Sequence, residues 1–344
     1  MLNRIVIANL HATSHIQNRC STLKKQGMNK IFNLILILTI STNLFSQIDS
    51  TKVAFVSYWS IGDSYDFKVS KIKQQWKEGK LTKDQKQDYI ASFTVIDSTE
   101  TSYIINWSYE NDLGNTYKIP ENLLDRFSKY KITEIKYKTS EVGDLIEILN
   151  WKEVGETMNN MFDDIIEVLG EEDEKKKEAL KTAMQPFKQI YSSKQGVEQL
   201  VLKELQYFHF PMGLEFDITE PMFYDEELPN MFGGKPIKAK AKLEFENVDF
   251  NESFCTIKQE MSLNPDDTKE LLKQVFKKMN LGDKGMKKAL KTAVFKINDR
   301  NTYEYYYNPG VPHRIETVRE TIIDIDKEKG RRIDKTIIEL IYNE

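Results

Sequence analysis

Residues 236–246 read PIKAKAKLEFE, and their alternation decides the fold class. Ile237, Ala239, Ala241, Leu243 and Phe245 fall on one side of an extended chain, while Lys238, Lys240, Lys242, Glu244 and Glu246 fall on the other. A period of two with a charge at every second position requires one dry face and one wet face. Parallel sheets are covered on both faces and read as continuous apolar runs, so this strand belongs to an antiparallel sheet. A Rossmann-like sheet and an eight-stranded parallel barrel do not fit it.

The same grammar extends outward. Tyr65, Phe67 and Val69 alternate with polar residues, as do Tyr103, Ile105, Trp107 and Tyr109 in YIINWSY (103–109). KITEIKYKTSEVGDLIEIL (131–149) predicts two strands about a turn at Ser140 to Asp144. HRIETVRETIIDID (313–326) and KTIIELIY (335–342) predict two more about KEKG (327–330). In TYEYYYN (302–308), Tyr303, Tyr305 and Tyr307 share a strand face with Tyr306 opposite.

Helical spacing interrupts the strands. Asn150 followed by Glu153 reads as a capping box, and Val154, Met158, Met161, Phe162, Ile165 and Leu169 make one stripe before Gly170. NPDDTKELLKQVFKKMNLG (264–282) has Asn264 as N-cap, Pro265 in the first turn, a stripe of Leu271, Leu272, Val275, Phe276 and Met279, and a closing Gly282. A third helix carries Val197, Leu200, Val201 and Leu205 ahead of Pro211. KEALKTA (177–183) and KKALKTA (287–293) echo each other, which fits either an internal duplication or two helices built from the same good helix formers.

The compartment is read from MNKIFNLILILTISTNLFSQ (28–47). It has a basic start, an apolar run too short to span a bilayer, and a small residue, Ser46, before Gln47. The reading is a Sec signal at 28–46, an upstream start-site leader at 1–27, and a single domain at 47–344. Processing would remove five basic residues and no acid, leaving 44 basic against 53 acidic residues, a net charge of −9. That balance argues against nucleic acid. Cys255 is the one thiol left, so no intrachain disulfide is expected. No transmembrane helix is expected after signal cleavage, and the protein is placed in the periplasm or outside the cell.

Together these elements predict an α+β fold: a curved antiparallel β-sheet, half-barrel-like, packed around several amphipathic helices. In topology the chain resembles the periplasmic lipoprotein-carrier (LolA-like) half-barrels, which implies a fold but transfers no residue. The LFSQ signal ending and YKTSEVGDLIEILNW (137–151) are similar to segments of uncharacterised exported gram-negative envelope proteins. That likeness implies export.

Chemistry is scarce. Outside the leader the histidines are His209 and His313, with no partner at ligand spacing, so neither a metal nor any other cofactor is expected. No nucleophile elbow or phosphate loop is present, and Cys255 lies on an apolar strand face. EEDEKKKE (171–178) reads as a solvated helix start, and DIDKEKG (324–330) as a hairpin turn, not as calcium sites. The leading reading is a non-catalytic envelope protein that holds a lipid or other apolar ligand against Tyr303, Tyr305 and Tyr307 of the sheet and Met158, Met161 and Phe162 of a facing helix. The alternative is an interaction or structural protein with a filled core and an envelope protein as partner. A hydrolase using an unrecognised carboxylate pair is the third.

Overall fold

The computed structural model describes residues 51–110, 130, 133–171, 173–201, 203–230, 234–278, 292–325 and 328–342. The leader, the signal segment, Met279, Gly282 and most of the second KTA echo lie outside them. In chain order the described elements are β1 (Lys52–Ala54), β2 (Ser64–Lys77), β3 (Lys80–Thr99), β4 (Ser102–Glu110), β5 (Glu134–Ser140), β6 (Leu145–Ile148), α1 (Trp151–Gly170), α2 (Glu174–Tyr191), α3 (Lys194–Val201) and α4 (Lys203–Phe208). They continue with β7 (Glu215–Asp217), β8 (Met222–Leu228), β9 (Ile237–Asp249), β10 (Phe254–Leu263), α5 (Pro265–Lys278), β11 (Val294–Tyr306), β12 (Val311–Ile325) and β13 (Glu328–Leu340).

Eleven strands form one antiparallel sheet in the order β6-β5-β4-β3-β2-β13-β12-β11-β10-β9-β8. Two meanders, β2 to β6 and β8 to β13, meet where β2 pairs with β13 from Phe67↔Leu340 to Lys77↔Gly330. The sheet is open, with β6 and β8 at its edges. β1 and β7 pair as a separate short ribbon. The helical segment α1–α4 falls between the meanders, whereas α5 interrupts the second one between β10 and β11. A simple duplication would place its helices alike in both halves, so this order does not support one.

The alternation predicted for β9 holds: Ile237, Ala239, Ala241 and Leu243 are buried on one face. The same face carries Phe67 and Val69 of β2, Ala91, Phe93 and Val95 of β3, Ile105 and Trp107 of β4, and Tyr303 and Tyr305 of β11. This core face is plugged by the end of α4 and the residues that follow it. Phe208 is fully buried, stacked on Phe93 at 5.2 Å and edge-on to Phe67 at 5.4 Å and Trp107 at 5.8 Å. Phe210 stacks on Tyr303 at 4.7 Å. On the same face, Leu271 of α5 packs against the cluster of Ile237, Ala239 and Leu263, and Leu272 packs against Phe295.

Asn264 caps α5 as expected, accepting from the backbone N–H of Asp266 and Asp267. Asn150 does not cap α1. Its Oδ1 instead accepts from Lys136 N–H at 3.0 Å and its Nδ2 donates to Glu134 O at 3.2 Å, because unpaired backbone groups of β5 compete for the same side chain. The expected third helix is helical at Lys194–Val201 and at Lys203–Phe208, with residue 202 outside the described residues.

The aromatic plug sets the largest single expectation for stability. Phe208→Ala should cost about 3 to 5 kcal/mol, since a buried aromatic is removed from among three rings that cannot collapse onto the gap. Urea unfolding monitored by tryptophan fluorescence measures it. A loss below about 1 kcal/mol would mean that the plug does not hold the sheet.

Candidate functional site

The tyrosines singled out from the sequence are placed on the core face, two of them deep within it. Tyr303 and Tyr305 are fully buried. The Tyr305 hydroxyl donates to Phe208 O at 2.6 Å, and the Tyr303 hydroxyl lies 3.4 Å from Gln259 Oε1. Tyr307 lies just past the end of β11, edge-on to Phe55, with its hydroxyl 3.3 Å from Asp249 O. Met158, Met161 and Phe162 are half-buried on α1. Phe162 meets Tyr191 of α2 at 5.6 Å, and α1 packs on α2 and α3, while β11 is covered by α5 and Phe210. The two halves of the expected pocket therefore sit in different packing layers.

His209 completes the plug. Its Nδ1 is 2.8 Å from Gly143 O, an acceptor only, so that nitrogen carries the proton and Nε2 accepts from the Tyr137 hydroxyl at 2.9 Å. Gly143 has a φ of +88°, and a Cβ there would fall 2.5 Å from Met212 Cε, so only glycine presents this carbonyl to the ring. Burial drives the His209 pKa down to about 4, against a smaller opposing effect of the Gly143 bond. Burial likewise raises the Cys255 thiol to about 12, which leaves it an inert core group.

Beyond the plug the core face changes character row by row. Cross-strand partners share a face, so the register defines each row. The apolar row Ile257–Tyr303–Ile315–Ile338–Val69 is followed by the polar row Gln259–Asn301–Thr317–Thr336–Lys71. Next comes the charged row Asp299–Arg319–Asp334–Lys73, and then Ile297–Thr321–Arg332–Gln75. The last row leads back to apolar side chains, Phe295 opposite Ile323.

The polar row is internally bonded: Asn301 Nδ2 donates to Gln259 Oε1 at 2.8 Å, and Gln259 Nε2 donates to the Tyr224 hydroxyl at 2.7 Å. In the charged rows Arg319 grips Asp299 with two bonds of 2.7 and 2.6 Å, and Arg332 grips Asp334 with two of 2.7 Å. α4 lies over this band. Its Glu204 pairs with Lys71 at 2.5 Å, its Tyr207 stands beside Thr317 and Arg319, and its Lys203 feels Arg319, Asp299, Glu204 and Asp334. Lys203 is exposed at its own surface yet walled by protein, and desolvation followed by the Arg319 charge lowers its pKa. The hydrogen bonds that Arg319 donates to Asp299 hold its pKa up.

Sequence reading missed this band. The signal was present as strand faces that start apolar and turn polar: Phe67, Val69, Lys71, Lys73 in β2, and Tyr303, Asn301, Asp299 read backwards along β11. A recess of about 660 Å³ is open at the start of α5, lined by Asp225, Glu226, Lys238, Lys240, Asn264 and Ile297, among others. Its acids and lysines alternate, which gives it no clear charge preference. Among the described residues no group of three or more His, Cys, Asp or Glu could hold a metal ion.

The neutral state of His209 predicts acid sensitivity. In the unfolded chain the imidazole titrates near 6.5 and in the fold at about 4, so between these values the unfolded state binds more protons. Stability is then lost as pH falls through that window, by about 2 to 3 kcal/mol from pH 6.5 to 4.5. Urea unfolding of the protein and of His209→Gln at both pH values checks this: the variant should lack that share of the slope. Equal slopes would assign the acid sensitivity to other groups.

No family model and no curated protein matches the chain. Among the solved structures that overlap it loosely are two of differing kind. One is lipovitellin, described by its lipid–protein interactions, at 8% identity and a TM-score of 0.39 over 82% of this chain. The other is Ail, the attachment invasion locus protein of Yersinia pestis, at 6% identity and a TM-score of 0.15, covering 82% of this chain and all of Ail. The chain spans a quarter of the lipovitellin chain. At these scores neither likeness speaks to what this chain binds.

Proposed function

We propose that the protein is an exported, non-catalytic binding protein of the cell envelope, periplasmic or secreted, whose ligand is an amphiphile. The observation that carries the reading is the gradient on the core face. Its plugged end is filled by protein, but the strands run on beneath α4 and present a polar and then a charged row, followed by partly exposed apolar side chains, Leu271, Leu272, Ile297 and Ile323. A ligand with an apolar tail and a polar end has a place for each there. Curvature of the open sheet about these helices, as in a half-barrel, would deepen that place. Tyr303 and Tyr305 become the floor that the ligand rests near, with Tyr307 at its border. The chemistry of residues 28–47 supports export, and among the described residues no helix is long and apolar enough to cross a membrane.

A second reading, a protein partner, is favoured by the open edge strand β8, where Phe223 is 75% exposed. The two readings separate experimentally. A fluorescent twelve-carbon fatty acid should bind the folded protein saturably at micromolar affinity, about −8 kcal/mol. Ile323→Glu should weaken that binding by roughly tenfold or more, because the tail would meet a charge. No saturable uptake, together with an unliganded native mass from its own envelope, would reject the carrier and leave the interaction protein. Export is checked apart from the ligand: the mature N-terminus should be Gln47 by mass analysis, and intact residues 1–27 would overturn the compartment.

A further inference from the structure

We propose that the charged rows of the core face are an anion site, and that the head of the amphiphile is a phosphate or carboxylate. The inference rests on the reading above for the alkyl part of the ligand and on separate observations for its head. Three ion pairs account for most of the charge there: Asp299 with Arg319, Asp334 with Arg332, and Glu204 with Lys71. Lys73 and Lys203 remain. Neither has a hydrogen-bonded or ion-paired partner among the described residues, and both are exposed.

They come from different elements and converge on the same neighbours. Lys73 of β2 stands in register with Asp334, whose other cross-strand partner is Arg319. Lys203 of α4 interacts electrostatically with Arg319 and with the same three acids, Asp299, Glu204 and Asp334, each of which is already bonded to another cation. Arg319 uses its Nε and one Nη on Asp299, which leaves N–H groups of the guanidinium unspent. Five cations against three anions thus share one region walled by sheet and helix. An excess of two positive charges in such surroundings is relieved by an anion.

On the opposite face Lys258, Lys242, Lys335 and Lys86 meet Glu246, Glu244, Glu316 and Asp88 directly, while Lys68 and Lys240 have no ion pair among the described residues. The depressed pKa of Lys203 has the same origin as the proposed site, since an anion would offset both the desolvation and the charge of Arg319. The apolar side chains Ile297 and Ile323 follow within two rows, so a head at Lys73 and Lys203 leaves its tail beside them.

Calorimetry on the full chain tests the site with dodecyl phosphate, dodecyl maltoside and inorganic phosphate, each below its micelle concentration where one applies. Dodecyl phosphate should bind on the order of tenfold tighter than dodecyl maltoside. The double variant Lys73→Gln/Lys203→Gln should erase that advantage while leaving the maltoside affinity unchanged. Lys86→Gln, which removes a charge from the opposite face, should not alter it. Circular dichroism of the variants guards against lost folding. Displacement of dodecyl phosphate by inorganic phosphate supports the anion site. If inorganic phosphate binds and neither alkyl probe adds affinity, the anion is free phosphate, and the amphiphile reading falls while the site stands. Equal binding of both alkyl probes, indifferent to the double variant, overturns the anion site and spares the amphiphile. No binding of any probe overturns both.

Discussion

The His209 ring, clamped between Gly143 O and the Tyr137 hydroxyl, fixes the segment on which the rest of the molecule depends. Both of its partners belong to the first meander, on β5 and the turn after it. The neighbouring Phe208 carbonyl is tied by Tyr305 to β11, in the second. One short stretch is therefore stapled to both halves of the sheet. Its aromatic side chains exclude water from the apolar end, which strengthens these hydrogen bonds because nothing else can serve the same groups. The stretch begins at the last residue of α4. The placement of Glu204, Tyr207 and Lys203 over the polar rows is a consequence of where Phe208 is anchored.

The plug also explains how the tyrosines are accommodated on the core face. A phenol on a dry sheet face must find a partner for its hydroxyl. For Tyr305 the partner is the plug's own backbone, so binding the segment and satisfying the tyrosine are one event. Polar character is displaced along the strands to where the plug ends. There side chains pair across strands and leave charge facing outward from the sheet.

The sheet was legible in the sequence because a period of two survives strand by strand, as in β4, β5, β9 and β11. The α5 cap was legible because Asn264, Pro265 and two acids act within one turn. Asn150 was misread because its partners lie on β5, and no local pattern reports a nearby strand carbonyl. The charged rows were hidden for a stronger reason. They cross β11, β12, β13 and β2, and whether the first long strand meets the last is a matter of tertiary order. Each strand face showed its own change from apolar to polar, in Val69, Lys71, Lys73 and in Ile315, Thr317, Arg319. Only the register brings those changes side by side.

The pairing of β2 with β13 has a kinetic meaning as well. The central seam joins strands from opposite ends of the described chain, so its closure carries the largest loop entropy in the molecule and waits for the final strand to be made. Until then β2 and β12 are both bare edges, each with a ladder of unpaired N–H and C=O groups. A chain held in that state offers two sticky borders of similar length to its neighbours. The fold thus has its period of greatest exposure to self-association before its last strand slots into the middle, and a helper that shields strand edges would act most usefully in that interval.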